Sequence, residues 1–203
     1  GRRVAAELSY ELVSRGLEPS VILVGSDERL KRYRHPLPTD HPVKKIVMMV
    51  VCAKGYGLIA NLTRLVHFGP VPAELRRRHA ACLQVECAMW ESSRPGTPVR
   101  DVFKALVREY GRQGFPGEWK LHHQGGPTGY ETRDYLATPD CPHRLAENQA
   151  LAWNPSITGT KSEDTVLPTA GGLEVLTPTP GWPLLKVRYG AGEYRRPDIL
   201  ERK

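Results

Sequence analysis

The sequence is short of cysteine, of aromatic residues and of long apolar runs, and each shortage excludes something. Its four cysteines, Cys52, Cys82, Cys87 and Cys141, are scattered, and no two have CxxC spacing. Four scattered cysteines are too few for a disulfide framework, and without CxxC pairs a thiolate zinc site is not expected. Reduced thiols are the expectation, and with them a cytoplasmic location. No apolar run approaches the roughly 20 residues of a membrane span. The stretch GRRVAAELSYELV has no apolar h-region of the secretory type. No membrane partner is therefore expected. Aromatic residues make up only 7% of the chain. That bears on the net charge of +7, because a nucleic-acid reading needs basic residues gathered on one face. The densest runs, ERLKRYRH (28–35) and ELRRRH (74–79), are short and contain acids. Solvated helix and loop faces explain them, and no nucleic-acid partner is expected.

What is present is ordinary for a globular chain: 203 residues, 40% apolar and 25% charged. That length suffices for one sizeable core. Arg2 to Arg15 reads as a helix, with Val4, Leu8, Leu12 and Val13 at helical spacing and Gly16 as its stop. SVILVG (20–25) reads as a buried strand and HPLPTDHP (35–42) as a loop. KIVMMVVCA (45–53) is a central strand, paired through the GYG turn with LIANLTRLVHFG (58–69). Pro72 to Glu91 and Val99 to Tyr110 are helices, the first with a stripe of Leu75, Cys82, Val85 and Met89, the second ended by Gly111 and Gly114. Short strands follow at WKLHH (119–123), QALAWNPSI (149–157), SEDTVL (162–167) and PLLKVRY (183–189). Strands, two helices and strands again predict an α+β domain, with helices on one side of a curved antiparallel sheet.

Four stretches carry chemistry: RHP (34–36), ANLTRLVHFG (60–69), HHQGGPTGY (122–130) and WNPSITGTKSEDTVL (153–167). In this order, and with two helices between the second and third, they resemble the pita-bread family of creatinase, aminopeptidase P, prolidase and methionine aminopeptidase. The resemblance covers nearly the whole chain. In the metallopeptidases of that family five side chains hold two metal ions. An Asp lies about eleven residues before a second Asp in D-x-T-R; then come a His in H-x-x-G, a Glu in E-P-G and a Glu in R-x-E-D-T. Paired divalent ions need anionic oxygens to bridge them and offset their charge. Carried over residue by residue, the pattern breaks. Asn61 stands at the second Asp, and eleven positions earlier is Val50, or Cys52 with a two-residue shift. Asn154 stands at the first Glu, and only His123 and Glu163 match.

The resemblance therefore implies a divergent member that has lost most of its metal ligands. Its chemistry is nearer to creatinase, which hydrolyses a C–N bond without metal. The expected function is a metal-independent hydrolase of a small amide, amidine or peptide-like bond, in a small molecule or short peptide. His123, Glu163 and Tyr130 are the candidate catalytic residues; Tyr130 stands where many family members have a catalytic His. His35, Glu131, Arg133 and Lys161 are candidate substrate contacts. Cys52, Asn61 and Asn154 are degenerate ligand positions. No cofactor is expected. The alternatives are a weakly held ion on His123 and Glu163, or one or two divalent ions such as Mn, Co or Zn in a rearranged set with Cys52, making a metallopeptidase of the Xaa-Pro type. A non-catalytic peptide-binding pseudo-enzyme is a third reading.

Plainer readings stand beside these. In a strand, His122 and His123 point to opposite faces, so only His123 enters the pocket and His122 packs or faces solvent. Cys52 lies in an apolar run and reads as an inert thiol. Lys161 is either a surface lysine or the buried partner of Glu163, and Trp153 is core. The resemblance also implies a homodimer. Residues 1–203 are expected to be one pita-bread domain, the C-terminal part of a longer protein whose N-terminal domain is absent from this sequence.

Overall fold

The computed structural model describes residues 1–169 and 171–203. The chain opens with helix α1 (Arg2–Val13), whose last turn leads to Gly16 at φ +75°. Strand β1 (Glu18–Ser26) follows, then the single-turn helix α2 (Arg29–Arg32). The Val/Met run becomes β2 (Ile46–Gly55), which turns into β3 (Leu58–Phe68). Tyr56 and Gly57 both have positive φ, 52° and 83°, the geometry that matches a two-residue hairpin loop to strand twist. The resulting register sets Cys52 opposite Asn61 and Val50 opposite Thr63.

Two long helices come next, α3 (Ala73–Ser92) and α4 (Val99–Arg112). Cys82, Val85 and Met89 of α3 are fully buried against Val102, Phe103 and Leu106 of α4. Both helices pack on Leu151, Trp153 and Val166. Gly111 lies inside α4, and Gly114, at φ +83°, follows its end.

The rest of the chain is short strands: β4 (Gly125–Pro127), β5 (Leu151–Trp153), β6 (Ser156–Ile157), β7 (Thr160–Lys161), β8 (Asp164–Thr169), β9 (Gly172–Val175), β10 (Leu184–Tyr189), β11 (Gly192–Pro197) and β12 (Leu200–Arg202). One sheet has the order β1-β2-β3-β12, with β12 parallel to β3. A second has the order β4-β5-β8-β9 and is antiparallel. Thr63 and Glu163 join the two in an antiparallel bridge, the Thr63 N–H donating to the Glu163 carbonyl at 3.0 Å. The sheets thus form one curved surface with α3 and α4 on one side, and Glu163 stands at the seam. Among the described residues, no helix is long and apolar enough to cross a membrane.

One expected element is absent. WKLHH forms no strand: Glu118–Leu121 is a 3₁₀ turn, and ladder pairing begins only at Gly125. The Gln124 amide supplies the reason. Its Nε2 donates to the carbonyls of Trp119 and His122, at 3.1 and 2.6 Å, so a side chain satisfies backbone groups that a neighbouring strand would otherwise take. The stretch 149–157 likewise divides into β5 and β6, interrupted at Asn154–Pro155.

Candidate functional site

Glu163 is the centre of the site, and its carboxylate is fully engaged. Oε2 accepts from the Thr63 hydroxyl at 2.7 Å and lies 2.9 Å from the Lys161 ammonium. Oε1 accepts from Arg133 Nη2 at 2.7 Å. Lys161 and Glu163 are each only 2% exposed. The alternation of extended chain turns both side chains to one side, two residues apart. Burial alone would raise the carboxyl, but the Lys161 and Arg133 charges and two side-chain hydrogen bonds hold it down to about 2. A buried carboxylate is tolerated where charges and hydrogen bonds of this kind meet it.

Beside this group stand three imidazoles. His35 comes from the loop after α2, and Pro36 packs directly on Gly25 of β1. A Cβ on Gly25 would sit 2.4 Å from Pro36 Cγ. Arg34 anchors the same loop on Glu118, Ser156 and Thr158. His122 and His123 arrive together from the irregular segment after the 3₁₀ turn. Their rings stack at 4.5 Å with an interplanar angle of 24°. One Nε2–H shared between His122 and His35 closes a 2.8 Å hydrogen bond. The expectation that only His123 enters the site is therefore wrong: without a strand ladder, successive side chains are not forced to opposite faces. Gly125, at φ +94°, fixes the segment's exit, because a Cβ there would meet the Ala152 carbonyl at 2.1 Å.

All three rings are held neutral. Burial, with the charges of Arg133 and Lys161, pushes His123 down to about 4. Burial and then Lys161 depress His122 strongly, and the same two causes lower His35. The Gly125 N–H donates to His123 Nδ1 at 3.3 Å, which places the proton of the neutral ring on Nε2.

The remaining expected residues divide. Arg133 and Lys161 reach the site, but as partners of Glu163. Tyr130 does not: it is 77% exposed and lines a groove of about 690 Å³ with Leu17, Tyr56 and Leu58, which none of the three histidines lines. A turn is responsible. Thr128 Oγ1 and the Gly129 N–H both donate to the Glu131 carbonyl, and the chain leaves that turn with Arg133, not Tyr130, directed at Glu163. Glu131 is exposed and contributes its carbonyl to the turn. Thr63 was not singled out, although it stands at the Thr of the D-x-T-R pattern, two residues after Asn61 on one strand face.

Cys52 and Asn61 face each other across β2 and β3, and with Asn154, the third position the resemblance marks as degenerate, they do not fit a dinuclear metal centre. Cys52 is buried, and burial followed by the Glu163 charge pushes its thiol up to about 11, which rules it out as a ready thiolate. Asn61 Nδ2 donates to Thr128 Oγ1 at 2.9 Å. The amide oxygens of Asn61 and Asn154 are buried without hydrogen-bond partners. Two neutral amides, a protonated thiol and a carboxylate already clasped by two cations supply too little anionic oxygen to bridge two divalent ions.

Comparison with known proteins agrees with the fold. Over 124 residues the chain is 26% identical to an uncharacterised peptidase of Staphylococcus aureus (strain MW2), covering 58% of this chain and 35% of that protein. The structure resembles a prolidase from Pyrococcus furiosus with a TM-score of 0.80 at 22% identity, over 88% of this chain and 55% of the other. It also resembles an X-Pro aminopeptidase from Thermotoga maritima, with a TM-score of 0.78 at 18% identity, over 99% and 54%. The chain thus spans about a third of the curated relative's length and about half of each solved chain's. Both solved proteins carry the pita-bread fold, and the profile of metallopeptidase family M24 matches residues 2–172: the chain belongs to that family.

Proposed function

We propose that this chain is a metal-independent, peptidase-like hydrolase of a C–N bond in a short peptide or a small amide or amidine. The observation that carries the reading is the clasp on Glu163. An ammonium and a guanidinium stand against the one carboxylate kept from the family's ligand set. Two cations facing one anion leave a net positive charge, suited to an anionic substrate group or to the oxyanion that forms during hydrolysis.

The neutral histidines take the proton chemistry. In its resting tautomer His123 donates at Nε2 and polarises the scissile carbonyl. In the His35–His122 pair one Nε2–H is donated to the other ring's Nε2 lone pair; as that contact opens, the freed lone pair takes the proton from the attacking water. The proton then passes to the leaving nitrogen as the C–N bond breaks. Dipeptides, Xaa-Pro peptides and guanidino compounds form the test panel, assayed with a chelator present. Turnover should survive chelation and fall about 100-fold or more in His123→Ala. Unchanged turnover in that variant, or its loss on chelation, contradicts the reading. Binding without turnover would favour a non-catalytic peptide-binding module instead.

A further inference from the structure

We propose that His35, His122 and His123 form a site for one divalent transition-metal ion of borderline softness, such as Zn²⁺ or Co²⁺, which uses none of the family's carboxylate positions and shares with its ligand pattern only His123. One ring nitrogen from each residue lies within 4.8 Å of the others, and these three are a cluster of possible ligands among the described residues. A tetrahedral ion with nitrogen ligands at 2.0–2.1 Å needs its donors about 3.4 Å apart. The His35–His122 nitrogens stand at 2.8 Å, so sub-ångström ring shifts bring that pair to ligand spacing. Three imidazoles select Zn²⁺, Co²⁺, Ni²⁺ or Cu²⁺ over Mg²⁺ and Ca²⁺, which need oxygen ligands.

Loading the site exchanges two contacts for three metal–nitrogen bonds. The Nε2–H shared by His35 and His122 shifts to Nδ1 of the donor ring, which stays a neutral imidazole, and His123 gives up the 3.3 Å contact from the Gly125 N–H. Nδ1 of His122 is buried with no other partner. Among the charges acting on His35 and His123, Arg133 and Lys161 outnumber Glu163 two to one, so the remaining ligand of a bound ion would be an anion, hydroxide or a substrate carboxylate. On the hydrolytic reading above, the ion occupies the lone pair that activates water, and it inhibits where the metals of relatives activate.

The test is a titration of the full chain with Co²⁺, read by visible absorption and calorimetry, with Zn²⁺ competition. The expected result is one ion per chain with the intense bands of tetrahedral Co²⁺. Affinity should fall at least tenfold in His35→Ala and His122→Ala, and stay within about threefold in Glu163→Gln. His35 is exposed, so His35→Ala decides the matter if the His122 variant fails to fold. Absence of such a spectrum in the wild type, its survival in His35→Ala, or its loss in Glu163→Gln with the fold intact overturns the proposal. Tight binding in a chain that hydrolyses nothing would count against the hydrolytic reading and leave the metal site standing.

Discussion

Lys161 Nζ lies 2.9 Å from Glu163 Oε2, both side chains almost wholly buried at the seam between the two sheets. A lysine ammonium thus offsets the charge of Glu163, the carboxylate that the resemblance places in the family's ligand set.

That pair predicts a large stability effect. Removing one partner of a buried ion pair leaves an uncompensated charge, typically costing 3–5 kcal/mol. In Lys161→Met, Arg133 and Thr63 still face Glu163, so the expected loss is about 2–4 kcal/mol. Urea denaturation measures it, and a loss under about 1 kcal/mol would show that the pair does not form as described.

Gln124 is predicted to be a positioning residue. Its amide donates to the Trp119 and His122 carbonyls and accepts from the Tyr110 hydroxyl at 3.0 Å. Gln124→Leu should cost about 2–3 kcal/mol from the groups left unsatisfied. It should also weaken Co²⁺ binding, because His122 and His123 lose their common orientation. A variant of wild-type affinity would show that the segment holds its shape without the amide.

Gly25 bears on function from a distance. An added Cβ would overlap Pro36 and come within 2.7 Å of Leu30 Cδ2. Gly25→Ala is expected to cost about 1–3 kcal/mol and to lift the loop carrying His35 out of reach of His122. The two effects are read by thermal unfolding and by Co²⁺ affinity.

Asp27 supplies a pH dependence away from the site. Burial pushes its carboxyl up, but the N–H groups of Lys44, Lys45 and Ile46 outweigh that and lower it from the usual 3.8. Because the folded value is depressed, the stabilisation is present above the unfolded value and is lost as pH falls through the folded one. Asp27→Ala should therefore be about 1 kcal/mol less stable than wild type at pH 7. The gap should close below about pH 4. A gap of the same size at pH 3 would mean that the carboxylate charge is not what matters.

The fold was largely legible because its main elements are periodic. The Val/Met run of β2, the GYG turn and the stripe of Cys82, Val85 and Met89 all lie where spacing placed them. The Lys161–Glu163 pair was readable as one of two options, since residues two apart in extended chain share a face. The histidine cluster was not. WKLHH alternates as a strand does, and only the Gln124 amide, capping carbonyls of its own segment, prevents a ladder there. Arg133 and Tyr130 show the same limit: which of them reaches Glu163 is decided by the Thr128–Glu131 turn and by a partner 30 residues away, information that no local pattern contains.

Anomalous diffraction at the cobalt edge, from crystals of the chain soaked in Co²⁺, tests the central claim most directly. The account predicts a single peak on His35, His122 and His123, none bridged by Glu163 at the Asn61 and Asn154 positions, and Lys161 still on the carboxylate. A pair of peaks bridged by Glu163, with the Lys161 side chain displaced, would contradict it.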